Sequence, residues 1–202
     1  MSQSTNDAPQ FIDIFAGAGG LSLGLMNAGW KGMFAIEKSP MAFATLHHNL
    51  IVNPRSQNFE WVHWLPQSPM SVEELIENYD AYLPSLKGIP LIAGGPPCQG
   101  FSFSGRRQIS DERNRLFEVY LKLVSYLQPK MLLIENVRGF ASPFKSNNLD
   151  DCHSQADEEL FNASEELQQR LTTLKYKYFV RRSIMARDYG VPQLRPSTSP
   201  QR

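Results

Sequence analysis

Phe11-Ile12-Asp13-Ile14-Phe15-Ala16-Gly17-Ala18-Gly19-Gly20-Leu21-Ser22-Leu23-Gly24-Leu25-Met26 reads as a strand over 11–15, a turn rich in glycine, and a helix whose apolar period stops at Gly29. Glycines in such a turn let a ligand approach the backbone closely, with the amino-terminal N–H groups of the helix directed at it. A second strand is predicted from Gly32 to Glu37. A helix follows to about Asn49, with Ser39 as its cap and Pro40 at its first position. Two successive βα units predict a parallel sheet and place the chain among the α/β folds.

Glu37 ends the second strand twenty residues after Gly17, the spacing at which an acidic side chain reaches the two hydroxyls of a ribose. NAD and S-adenosylmethionine both carry that ribose. Ser22 stands where a dinucleotide fingerprint has its third glycine, which weighs against NAD. Further on, Ile89-Pro90-Leu91-Ile92-Ala93 has the length and apolarity of a buried parallel strand. Gly94-Gly95-Pro96-Pro97-Cys98-Gln99-Gly100-Phe101-Ser102 follows, so Cys98 is expected just past a strand's carboxyl end, where open α/β sheets gather their chemistry. A lone cysteine is more often buried and inert. Two glycines and two prolines around one thiol point instead to a mounted nucleophile.

The remaining chain reads as a connecting excursion over Asn53 to Leu86 that contains a helix from Ser71 to about Tyr82. After it come a helix over Asp111–Leu127, a strand over Met131–Glu135, a helix over Glu158–Leu174 and a strand over Tyr176–Ile184. Residues 1–10 are expected to be a flexible segment, 11–195 one domain, and 196–202 a disordered tail. With 202 residues, 20 basic and 20 acidic, the formal charge is zero, so nucleic-acid binding would have to come from local patches. Arg106, Arg107, Arg113 and Arg115 form one; Lys175, Lys177, Arg181, Arg182 and Arg187 form another, which reads equally well as solvated surface. The two cysteines, Cys98 and Cys152, lack the spacing of a zinc site or a disulfide framework, so no metal is expected. No stretch approaches the length of a membrane span, and a soluble cytoplasmic protein is expected.

Four blocks taken in order resemble the motifs of the cytosine-5 DNA methyltransferases: Asp13-Ile14-Phe15-Ala16-Gly17-Ala18-Gly19-Gly20, Gly95-Pro96-Pro97-Cys98-Gln99, Glu135-Asn136-Val137 and Tyr189-Gly190-Val191-Pro192-Gln193. The resemblance spans about residues 11–195. It implies a Rossmann-like methyltransferase fold with a mostly parallel sheet flanked by helices, S-adenosylmethionine as methyl donor, and DNA with a flipped-out cytosine as substrate. Carbon 5 of cytosine is a poor nucleophile until a thiolate adds at carbon 6, and the resemblance gives that thiolate to Cys98. Glu135 would hold a proton on N3 of the base, as a buried carboxyl, and Asn136 would position its loop. Phe15 would lie against the adenine and Glu37 on the ribose, with Gly17, Gly19 and Gly20 approaching the methionine part. Pro97 and Leu116 would line the same cofactor. Ser102, Arg106 and Arg107 would belong to a mobile loop closing on DNA, with Gln193 also on the nucleic acid and Arg195 beside the reacting base.

The chain departs from that pattern in three places. The aspartate expected on the adenine amino group is missing from Asn58-Phe59-Glu60-Trp61, which leaves Glu60 as its substitute. The Gln-x-Arg-x-Arg segment starts at Gln193 and Arg195 but has Ser197 in place of the second arginine. The target-recognition domain and the carboxyl-terminal part of the fold are expected to be absent, which would make this the amino-terminal catalytic portion of such an enzyme. A truncated reading frame and half of a split enzyme fit equally; in the second case the expected partner is a polypeptide that carries target recognition. A non-catalytic remnant, an RNA cytosine-5 methyltransferase and, far behind, an NAD-dependent oxidoreductase are the competing readings.

Overall fold

Four strands build the sheet that positions the glycine turn: β1 (Gln10–Ile14), β2 (Lys31–Ile36), β3 (Leu91–Gly94) and β4 (Met131–Ile134). They lie in the order β2-β1-β3-β4, and every pair is parallel. The computed structural model describes residues 8–52, 58–95, 112–136, 144–145, 160–161, 163–191 and 196–198. The chain divides into two units, Met1–Pro96 with Glu118–Ile134, and Pro97–Phe117 with Glu135–Arg202.

The first unit contains the sheet. Strand period puts Phe11 and Asp13 on one face of β1 and Ile12 and Ile14 on the other. Helix α1 (Gly20–Asn27) covers the first face, where Phe11, Ala35, Leu91 and Ala93 pack with Leu25 and Met26 of α1. Phe43 and Leu46 of α2 (Pro40–His47) complete that core. Burial on both sides explains why β1 and β3 read as continuous apolar runs rather than as alternating ones.

Local chemistry sets the helix boundaries. Ser39 caps α2 by accepting the Ala42 N–H at 3.5 Å, and Pro40 follows it as predicted. The sequence gives no sign of the widened π-helical turn His48–Val52 that continues α2 and inserts the buried Leu50. Helix α3 (Val72–Asn78) starts at a reciprocal capping box, Ser71 with Glu74, but stops four residues before the predicted Tyr82. A 3-10 turn, Leu83–Leu86, takes over there because Pro84 cannot extend the hydrogen-bond ladder. The excursion is also tied to the sheet: Phe59 bridges Gly32 in parallel, and its ring fills the space that a side chain at Gly32 would need. Helix α4 (Glu112–Leu127) matches its prediction, and its Leu127 carbonyl accepts the Gly88 N–H at 2.7 Å.

In the second unit, β5 (Phe144–Lys145) pairs with β6 (Leu160–Phe161), and α5 (Ala163–Thr173) begins five residues later than predicted. The strand predicted over Tyr176–Ile184 is corrected. Residues 176–182 form no strand; only β7 (Ser183–Met185) does, antiparallel to β8 (Pro196–Thr198). Alternating Tyr176, Tyr178 and Val180 mimic a strand in sequence, yet Tyr178 and Val180 are exposed with no ladder to join among the described residues. Arg181 instead reaches back to the Ser164 carbonyl at 3.2 Å and to Gln168 of α5. The tail expected to be disordered from 196 contributes β8.

Candidate functional site

The turn between β1 and α1 is shaped by three left-handed residues, Phe15 at φ 62°, Gly17 at 56° and Gly19 at 85°. For the glycines this is free; for Phe15 it costs roughly 1–2 kcal/mol, so the rest of the turn must hold it there. Phe15 is half-buried, and its ring meets no other ring among the described residues. Gly19 packs against Leu46 and Leu50, whereas Gly17 and Gly20 face open space. Gly19 offers no side-chain cap to the first turn of α1. The amino end of a helix with open space beside Gly17 and Gly20 suits an anionic group.

Glu37, the residue after β2, closes the other side. Its Oε2 accepts the Gly17 N–H at 2.8 Å and its Oε1 accepts the Ser39 N–H at 2.7 Å. One backbone donor per oxygen fixes the carboxylate and leaves each oxygen a further lone pair. The structure thus brings together Phe15, Gly17, Gly19, Gly20 and Glu37, five of the residues singled out from the sequence. Beneath them lies Asp13, whose Oδ2 accepts from the Ser22 hydroxyl at 2.7 Å. Burial above all pushes Asp13 up from 3.8 to about 6; hydrogen bonds from Ser22 oppose the shift and the Glu37 charge adds to it.

Glu60 is not at this turn. It pairs with Lys31 at the start of β2, while Glu37 follows the end of that strand. Five residues at about 3.3 Å each set the two roughly 16 Å apart along β2. The edge bridge through Phe59 fixes this placement, so the adenine role expected of Glu60 is withdrawn. Leu116 lies half-buried near the start of α4, in the second unit. Glu135 and Asn136 directly follow β4 and belong to that same unit. Asn136 is buried, but Glu135 is exposed, against the expectation of a buried carboxyl. Cys98, Pro97, Ser102, Arg106, Arg107, Gln193 and Arg195 lie outside the described residues.

Sequence reasoning passed over two residues here. An acid inside the apolar run Phe11–Phe15 was a visible sign for Asp13. At Gly94, an added Cβ would collide with the Ile14 carbonyl, so this glycine sets the close approach of β1 and β3 just before the cysteine segment. Its place in a run of two glycines and two prolines concealed that packing role.

A family model, C-5 cytosine-specific DNA methylase, matches residues 9–197. The type II methyltransferase M.AquIA of Picosynechococcus is 31% identical over 188 residues, covering 92% of this chain and 68% of that protein. M.DdeI of Desulfomicrobium norvegicum is 35% identical over 185 residues, covering 91% of this chain and 38% of its own length. Among solved structures, one assigned as a DNA modification methyltransferase encoded within an E. coli prophage superposes with a TM-score of 0.61 at 28% identity. It covers 95% of this chain and 45% of that one. S. pombe Dnmt2, at 19% identity and a TM-score of 0.56, shares the fold. The chain therefore spans well under two thirds of most of these relatives.

Proposed function

This chain belongs to the C-5 cytosine-specific DNA methylase family, and we propose that it forms the cofactor-binding, nucleophile-bearing part of a DNA cytosine-5 methyltransferase of restriction-modification type. The observation that carries the reading is the Glu37 carboxylate, oriented by the Gly17 and Ser39 N–H groups with lone pairs to spare for two ribose hydroxyls. The uncapped amino end of α1 suits the carboxylate of the methionine part, and the strained Phe15 suits a flat base. S-adenosylmethionine fits this set of groups and, when bound, supplies an electrophilic methyl group.

The chain's own residues do the rest. Cys98 attacks carbon 6 of a cytosine flipped out of DNA, Glu135 holds the proton on N3, and Asn136 steadies the segment after β4. Arg195 and Gln193 act near the base, Ser102, Arg106 and Arg107 on the backbone, and Pro97 and Leu116 beside the cofactor. Target recognition belongs to further polypeptide, a reading supported by the longer chains of the relatives. A cytoplasmic location goes with it; among the described residues no helix is long and apolar enough to cross a membrane.

Calorimetry with S-adenosylmethionine tests the site directly. The wild-type chain should bind, and Glu37→Ala should weaken binding by roughly 10- to 100-fold, the worth of one or two hydrogen bonds to a charged group. DNA carrying 5-fluorocytosine then tests the chemistry, because it traps the cysteine adduct: one is expected with wild type and none with Cys98→Ser. No adduct from the wild-type chain, even when supplied with the remaining part of a family enzyme, would favour a non-catalytic subunit. An adduct with RNA alone would move the substrate class.

A further inference from the structure

Asp13 is a buried acid that none of these roles uses. It is 1% exposed, and the sheet register sets it between Ala35 of β2 and Ala93 of β3, whose methyl groups offer no polar contact. Oδ1 has no hydrogen-bond partner among the described residues. Leaving a buried carboxyl oxygen in that state is costly, and an apolar residue of similar size would make the strand more stable. What Asp13 supplies instead is direction.

Its Oδ2 accepts at 2.7 Å from the hydroxyl of the fully buried Ser22, nine residues further along the chain. Asp13 lies in β1, two residues before Phe15, and Ser22 is the third residue of α1. The bond closes a short loop that contains the three left-handed residues of the turn, Phe15, Gly17 and Gly19, together with Gly20. Two backbone bonds brace the loop from inside: the Gly19 N–H donates to the Ala16 carbonyl at 2.9 Å, and the Ala16 N–H to the Ile36 carbonyl at 3.0 Å. Neither ties the body of α1 to β1. Apolar packing of Leu25 and Met26 does hold α1 on the sheet, but such burial is non-directional, whereas a hydroxyl–carboxyl bond keeps its two oxygens within a window of about half an ångström. Phe15 at φ 62° keeps its left-handed conformation only while its surroundings enforce it.

We propose that Asp13 is a positioning residue for cofactor binding: through Ser22 it locks the first turn of α1 onto β1, and so holds Phe15, Gly17 and Gly20 in the conformation that receives S-adenosylmethionine. The inference rests on the S-adenosylmethionine reading of the turn. Asp13 acts on the ligand only through the backbone of that turn, so its contribution is to affinity rather than to fold stability. Replacing the acid with an apolar residue should therefore move the two in opposite directions: the sheet loses a buried polar group without a full set of partners, while the turn loses its clasp. A residue with a merely structural role would lower both or neither.

Calorimetry with S-adenosylmethionine and urea titration, both on the full chain at neutral pH, test this together. Asp13→Val should be at least as stable as wild type and bind about 5- to 30-fold more weakly, the effect of one lost buried hydrogen bond. Asp13→Asn keeps an oxygen for the Ser22 hydroxyl and should retain most of the affinity. Ser22→Ala should bind about as weakly as Asp13→Val, and the double variant no more weakly than either, because both changes remove the same bond. Should Asp13→Val fail to fold, weak binding by Ser22→Ala against near-normal binding by Asp13→Asn makes the same comparison. Unchanged affinity in Asp13→Val and Ser22→Ala, an affinity loss matched by a loss of stability in Asp13→Val, Asp13→Asn as weak as Ser22→Ala, or losses that add in the double variant overturn the inference and leave the cofactor reading standing. A wild-type chain that does not bind S-adenosylmethionine overturns both.

Discussion

β3 and β4 are neighbouring four-residue strands of similar character, Leu-Ile-Ala-Gly and Met-Leu-Leu-Ile, yet the sheet treats them differently. β3 is buried throughout, whereas Met131 and Leu133 of β4 are 49% and 41% exposed. The register aligns Met131 with Leu91 and Leu133 with Ala93, so all four lie on the face that α1 covers above β2 and β3. Among the described residues, the core cluster on that face includes Leu91 and Ala93 but neither Met131 nor Leu133. β3 also has a strand on each side, while among the described residues β4 has one. Apolar composition marks a strand; its place in the sheet decides whether the same side chains become core or surface.

The sharpest way to break this comparison is to truncate a buried side chain of β3 and an exposed one of β4. Ile92→Ala in β3 should cost about 2–5 kcal/mol, as a fully buried branched side chain does, whereas Leu133→Ala in β4 should cost under about 1 kcal/mol. Urea titrations of the two variants measure the gap, and equal losses would show that β4 is as much core as β3.

β1, the other interior strand, allows a second test because its core includes an acid. Asp13 has a higher pKa folded than unfolded, so the native state holds the proton over the range from 3.8 to about 6 and stability falls as pH rises through it. The loss should be roughly 2–3 kcal/mol by pH 7, because each pH step between the unfolded and folded pKa values removes about 1.4 kcal/mol. Asp13→Asn should therefore be the more stable protein at neutral pH and lose its advantage in acid. Thermal melts across that range check the sign, and an Asn variant less stable than wild type at pH 7 contradicts it.

The smallest effect concerns the end of β1. Phe15→Gly should be about 1 kcal/mol more stable than Phe15→Ala, the reverse of the usual order in regular structure, because the left-handed backbone at φ 62° penalises any Cβ. Chemical denaturation of the pair measures it, and an Ala variant of equal or greater stability argues against the strain.

Much of this molecule was legible beforehand. The strand, glycine turn and helix around Gly17, the Ser39-Pro40 helix start and the Glu37 partner all depend on contacts within one βα unit or its neighbour, where period and capping suffice. Glu60 was misread because its position depends on how the excursion after α2 docks on the β2 edge, a long-range contact with no local sign. Tyr176–Ile184 was misread because alternation promises a strand only where a ladder is present to receive it.

The sequence by itself determined the α/β order, the turn and its acid, because backbone conformation at glycine, proline and capping residues is a local property. Only the tertiary structure decided that Glu37 is aligned by two backbone donors, that Asp13 is a buried acid held by Ser22 beneath the turn, and that Met131 and Leu133 of β4 stay exposed. Those outcomes depend on which atoms non-adjacent segments bring together, and on the removal of water from between them.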